Sequence, residues 1–199
     1  PTSTSTLNIT VEQAPNAGQD GSAFICNTTS AFDLFTALTN TPDQNGQWVN
    51  NSNQGTLTDN VWDASGVSEG AYTFTYTVET TNGSCAASSA TATLNVTEQA
   101  NPGTNTNGIS CNDRIINLNE ELNGNPDAGG TWTTGSAGSG TVINDGLFDA
   151  QGVPAGTYTF RYDIAAREAC PGTFALLNMT INKQVDAGNN GALTICETA

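Results

Sequence analysis

Cys26, Cys111 and Cys196 are evenly spaced, and Cys85 and Cys170 stand apart by the same interval. A fixed period of about 85 residues means that the unit to be explained is one repeat, and each repeat must fold as a small supersecondary unit or domain. The flanking sequence agrees. Residues 41–48 (TPDQNGQW) align with 125–132 (NPDAGGTW), and Gly70-Ala71-Tyr72-Thr73-Phe74-Thr75-Tyr76 aligns with Gly156-Thr157-Tyr158-Thr159-Phe160-Arg161-Tyr162, each within one residue of that interval. Trp62-Asp63-Ala64 likewise matches Phe148-Asp149-Ala150. Leu7-Asn8-Ile9-Thr10-Val11 resembles Leu94-Asn95-Val96-Thr97. Residues 1–13 therefore read as the last strand of a preceding repeat, 14–99 and 100–184 as two repeats, and 185–199 as the start of a further one.

Within each repeat the pattern is that of strands. Residues 72–78 and 158–164 alternate large apolar side chains mainly with Thr, which buries one face of a strand and wets the other. Residues 90–96 and 174–181 alternate in the same way. Asn82-Gly83 has the residue types of a tight hairpin turn, so the last two strands of a repeat form a hairpin. Pro42-Asp43 and Pro126-Asp127, each followed closely by Gly, mark turns ahead of the Trp strands. Residues 32–38 and 116–122 fit a helical turn or a short strand. Several short strands per repeat without a long helical period predict an all-β fold: tandem antiparallel β-sandwich domains of immunoglobulin-like type. The core expected is aromatic: Trp48, Tyr72, Phe74 and Tyr76, with Trp62, in the first copy, and Trp132, Tyr158, Phe160 and Tyr162, with Phe148, in the second.

So small a core needs a covalent staple. The interval from Cys26 to Cys85 equals that from Cys111 to Cys170, so the expectation is one disulfide inside each repeat, joining an early strand to the last hairpin. Cys196 is then left unpaired by truncation. Disulfides place the chain in an oxidising, extracellular compartment.

Charge excludes several functions. Four Lys and Arg against 19 Asp and Glu leave a net charge of −15, which cannot neutralise a nucleic-acid backbone and is repelled by an anionic membrane surface. No apolar run is long enough for membrane insertion. The absence of His removes Ser-His-Asp and Cys-His catalysis and imidazole metal ligation. Asp43 and Asp127, Asp59 and Asp145, and Asp63 and Asp149 recur by repeat, and carboxylates so placed are potential Ca²⁺ ligands between domains. Asp after Pro and Asp at a strand end form turns without a metal, and no D-x-D-x-D-G loop is present, so no cofactor is expected. The glycine-rich residues 135–140 lack the Lys of a phosphate-binding loop and read as a hairpin tip. Duplicated carboxylates point to duplicated scaffolding rather than to an active site, so the chain reads as non-enzymatic. Stacking of Trp48 and Trp132 on sugar rings is the alternative to their burial.

The combination of an early Cys, Pro-Asp-x-x-Gly-x-Trp, Gly-x-Tyr-x-Phe-x-Tyr, a second Cys and a Thr-rich last strand resembles the tandem repeats of very large Bacteroidota surface proteins. These include gliding-motility adhesins of the SprB type and other cargo of type IX secretion. The resemblance implies export to the bacterial cell surface and a part in adhesion, motility or an extracellular filament. The partners expected are neighbouring repeats of the same long chain; the alternatives are repeats that themselves hold surface glycans or other adhesin chains, and a filament in which the orphan strand Leu7 to Val11 completes a neighbouring chain's domain by strand addition.

Overall fold

The computed structural model describes residues 3–80, 85–135, 142–185 and 188. The expected Asn82-Gly83 turn, most of the glycine-rich tip and Cys196 lie outside the described residues. By their contacts the residues form two units, Pro1–Ala100 with Ala166–Gly172, and Asn101–Ala165 with Thr173–Ala199.

Among the described residues the first unit holds the strands β1 (Gly21–Cys26), β2 (Phe32–Asp33), β3 (Gln47–Asn50), β4 (Thr56–Thr58), β5 (Val61–Asp63), β6 (Gly70–Val78) and β7 (Ser88–Thr97). One sheet has the order β1-β7-β6-β3 and the other β2-β5-β4. The third, sixth and seventh strands on one side and the second, fifth and fourth on the other are the strand partition of an immunoglobulin-like sandwich. The first strand joins the edge of β7, and it does so in parallel, Gly21 opposite Ala92 and Cys26 opposite Thr97. The other pairs among these strands are antiparallel.

The second unit repeats this plan with β8 (Thr106–Cys111), β9 (Ile115–Asn117), β10 (Thr131–Thr134), β11 (Val142–Ile143), β12 (Leu147–Asp149), β13 (Gly156–Ile164) and β14 (Thr173–Asn182). Its sheets have the orders β10-β13-β14-β8 and β11-β12-β9, with β8 parallel to β14. The segments that fitted both a strand and a helical turn are both in succession. Phe32–Asp33 and Ile115–Asn117 are strands, and each leads into one helical turn, Leu34–Ala37 and Leu118–Glu121. Asp33 and Asn117 cap these turns by accepting from the amides of Phe35 (3.0 Å) and Asn119 (3.2 Å).

Cross-strand pairing of large with smaller side chains fills the cores. On the inner face Phe74 faces Ala92, Tyr76 faces Ala90 and Tyr72 faces Leu94. In the second copy Tyr162 faces Ala175, Phe160 faces Leu177 and Tyr158 faces Met179. Trp62 and Phe148, one in each three-stranded sheet, are fully buried and reach Phe74 and Phe160 of the opposite sheet at ring-centroid distances of 4.9 and 4.7 Å. Aromatic contacts of this kind dominate the energetics of a small core. Of the aromatic residues expected in the core, Phe74, Tyr76, Tyr158, Phe160 and Tyr162 are buried. Trp48, Tyr72 and Trp132 are only half-buried: Trp48 and Trp132 lie on the edge strands β3 and β10, where only one neighbouring strand covers them.

The Pro-Asp-x-x-Gly-x-Trp motif has a structural origin. The Tyr76 hydroxyl donates to the Asp43 carbonyl (2.5 Å) and accepts from the Gly46 amide (2.8 Å). Tyr162 repeats both contacts with Asp127 (2.8 Å) and Gly130 (2.9 Å). The phenol ring runs so close under the backbone that a Cβ at Gly46 would strike Tyr76 and the Thr77 carbonyl, and one at Gly130 would strike the Tyr162 ring. A glycine is required there by space alone.

Candidate functional site

The sulfur atoms pair across the sequence repeats, which corrects the expectation of one bridge inside each. Cys26 is bonded to Cys170, 144 residues away, with a Cα separation of 4.7 Å. Cys85 and Cys111 are free thiols. The parallel pairing of the first strand is the reason. It sets Cys26 beside Thr97 at the far end of β7, whereas Cys85 precedes Ser88 at the near end. A ten-residue strand rises about 30 Å, and a disulfide tolerates a Cα separation of at most about 7 Å. Cys111 and Cys170 are kept apart in the same way, since Cys111 lies opposite Asn182 and Cys170 precedes Thr173 at the other end of β14.

The group that Cys26 does meet is the tip Ala166–Gly172 of the β13–β14 hairpin, which belongs by its contacts to the first unit. The tip is closed by two backbone hydrogen bonds, Arg167 N–H to the Cys170 carbonyl (3.0 Å) and Cys170 N–H to the Arg167 carbonyl (2.7 Å). Glu168 turns it with φ of 43°. Contacts besides the disulfide help to hold it. The Gln99 side-chain amide donates to the Pro171 carbonyl (2.8 Å), the Thr97 hydroxyl donates to Glu168 Oε2 (3.0 Å), and Cys170 Sγ lies 3.2 Å from the Thr97 carbonyl oxygen. Asn27 fixes the receiving surface: its amide donates to the Thr97 carbonyl (3.0 Å) and its Oδ1 accepts from the Gln99 amide (3.0 Å). Cys26 and Cys170 are buried, at 4% and 1% exposure.

Asn27 and Gln99 escaped the sequence reading, although a signal was present: Asn112 and Gln184 follow them at the same interval as the cysteines.

The recurring aspartates serve turns. Asp43 Oδ2 accepts from the Asn16 amide (3.0 Å), and Asp127 Oδ2 from the Asn101 amide (3.1 Å). Asp63 and Asp149 each accept from the amide two residues on, Ser65 and Gln151, at 2.9 Å. Hydrogen bonds from the Ser65 side chain and then its backbone amide hold the Asp63 carboxyl below the usual carboxylate range. Among the described residues no group of three or more His, Cys, Asp or Glu is placed to hold a metal ion.

The two half-buried tryptophans differ. Trp132 Nε1–H donates to Asn119 Oδ1 (2.8 Å). The matching Trp48 packs against Phe35 and Tyr76, with centroids 5.5 and 4.8 Å away, and its Nε1–H is shielded from solvent without an acceptor among the described residues. A cavity of about 370 Å³ lined by Gln44, Gln47, Asp59 and Asn60 adjoins it.

No protein-family model matches the chain, and no curated protein is similar to it in sequence. Solved structures with a similar arrangement include Drosophila N-cadherin EC1-4 (12% identity, TM-score 0.38, covering 86% of this chain and 50% of that one). Others are the Sidekick-1 immunoglobulin domains 1-4 (10% identity, TM-score 0.31, 89% and 48%) and the tandem Ig repeats of Dlar (14% identity, TM-score 0.24, 87% and 97%). The chain spans about half the length of the N-cadherin and Sidekick-1 chains it matches.

Proposed function

We propose that this chain is a length of an extracellular tandem array, a non-enzymatic stalk that holds a distal binding region away from a bacterial cell surface in adhesion or gliding motility. The observation that carries the reading is the Cys26–Cys170 bond. It ties the first repeat to the hairpin of the second, so the covalent staple serves the array as well as the domain. Residues 14–99 and 100–184 are successive copies of one plan, the arrangement by which repeat proteins gain length. Thr- and Asn-rich outer faces with a net charge of −15 keep long parallel chains apart. Disulfides of this kind belong to an oxidising compartment. The sequence resemblance to giant Bacteroidota adhesin repeats supports the same assignment, type IX export included.

A stalk must bear load. Force entering near residue 1 and leaving near residue 199 runs through the Cys26–Cys170 bond and bypasses the 144-residue separation between them. Single-molecule stretching before and after reduction is the test. The reduced chain should lengthen by roughly 500 Å more than the oxidised one, at about 3.3–3.6 Å per residue. Equal lengths in both states would remove the mechanical reading.

A second reading makes each repeat a glycan-binding module, and the cavity beside the half-buried Trp48 ring favours it. A glycan array decides between the two: silence supports the stalk, whereas binding that is lost in Trp48→Ala establishes the module.

A further inference from the structure

The cavity beside Trp48 recurs beside Trp132. In the first unit it is lined by Trp48, Gln44, Gln47 and Asp59 among others, and holds about 370 Å³. In the second it is lined by Trp132, Asn119, Asp127 and Asp145 among others, and holds about 430 Å³. Both volumes fall within the range of about 300–1,000 Å³ that small-molecule sites occupy. Each Trp comes from an edge strand, β3 or β10, and Asp59 and Asp145 come from the turns that join β4 to β5 and β11 to β12. The repeat plan thus sets an indole and a carboxylate around a cavity in each unit.

These two carboxylates differ from the other recurring aspartates. Asp43, Asp127, Asp63 and Asp149 each accept a hydrogen bond from a backbone amide. Among the described residues nothing donates to the side chains of Asp59 and Asp145. Both hold a left-handed backbone, with φ of 53° and 63°, which glycine or asparagine adopts at least as readily, so the turn itself does not call for an acid. Among the described residues no Lys or Arg lines either cavity, and a net charge of −15 sets a negative field around the chain. Sulfated or uronic sugars are repelled by that field. An indole beside an unpaired carboxylate suits a cation, because the ring face attracts an ammonium group and the carboxylate pairs with it.

We propose that each cavity binds one unit of an amino sugar, its ring against Trp48 or Trp132 and its ammonium group paired with Asp59 or Asp145. The assignment names the glycan class for the reading in which each repeat is a glycan-binding module, and it rests on that reading. Two such cavities on one chain fit a polymer that repeats the cationic unit, since the first weak contact makes the second intramolecular.

The test is calorimetric titration of the full 199-residue chain with a glucosamine trisaccharide, its N-acetylated counterpart and a uronic trisaccharide. The glucosamine trisaccharide should fill two sites per chain, bind at least about tenfold more tightly than the N-acetylated one, and weaken as salt is raised. Asp59→Asn and Asp145→Asn keep the turns, because asparagine accepts the left-handed backbone. Each should reduce the number of sites to one, and the double variant should abolish binding. Undiminished binding in the double variant would overturn the proposal. Neutral or uronic trisaccharides that bind as tightly as glucosamine, with binding lost in Trp48→Ala, would overturn the amino-sugar assignment and leave the repeats as glycan-binding modules. Silence toward all three sugars would overturn both.

Discussion

The end of β1 and the end of β8 are the same surface in two states. Asn27 and Asn112 make matching hydrogen bonds, and Cys26 and Cys111 close matching strands, yet of the two cysteines only Cys26 carries a partner. The contrast teaches that the receiving surface is made by the repeat itself and does not need its occupant to form. The backbone contacts that build it come from the parallel pairing of the first and last strands, whereas the occupant comes from elsewhere in the sequence.

The sharpest way to break this comparison is to remove the bridge. Cys26→Ala with Cys170→Ala should lower unfolding stability by about 5 kcal/mol on the chain-entropy model for so long a loop. Cys111→Ala in the monomer should stay within about 0.5 kcal/mol of the parent. Urea midpoints measure both, and a loss of similar size for Cys111 would abolish the distinction.

The cores invite the next test. Trp62 and Phe148 occupy matched, fully buried positions with different side chains. Trp62→Ala and Phe148→Ala should each cost about 3–5 kcal/mol, seen as a lower midpoint for the unit concerned. A cost below about 1 kcal/mol at either place, far under the usual price of emptying such a site, would show that the repeat plan does not depend on that ring.

Smaller effects separate the polar contacts. Tyr76→Phe and Tyr162→Phe should each cost about 1–2 kcal/mol, because each deprives a glycine amide and an aspartate carbonyl of a partner. Asn119→Ala should cost about 1 kcal/mol by orphaning Trp132 Nε1. Phe35, which packs on Trp48 in the first repeat, gives that indole no acceptor, so among the described residues no equivalent hydrogen bond is there to lose. Chemical denaturation of the single variants would show the asymmetry.

The smallest effect is one of pH. Hydrogen bonds from Ser65 lower the Asp63 pKa from its ordinary value of 3.8. Its contribution is therefore complete above that value and is lost as the pH falls through the lower folded value. A denaturation midpoint followed from neutral pH downward should decline in acid less steeply in Asp63→Asn than in the parent. Identical slopes would mean that the Ser65 bonds do not favour the charged form.

The cysteine period shows how far sequence alone could reach. Because the repeats are identical in spacing, a bridge inside a repeat and a bridge shifted by one period predict the same recurrence, and nothing in the interval itself separates them. Equal spacing made the wrong pairing as regular as the right one. The recurrence of Asn27 and Gln99 as Asn112 and Gln184 marked the surface around the cysteines, but polar residues are frequent in this chain and their meaning emerged only beside Cys170.

Alternation and turn chemistry are local, and they set the strands β6, β7, β13 and β14, the buried aromatic rows and the Pro-Asp turns. The cysteine period likewise set the recurrence of the whole plan. The direction in which β1 and β8 join their sheets was decided only in three dimensions, because a short edge strand carries the same side-chain pattern whether it runs parallel or antiparallel to its neighbour. That one choice places Cys26 a full strand length away from Cys85 and brings it within bonding distance of Cys170.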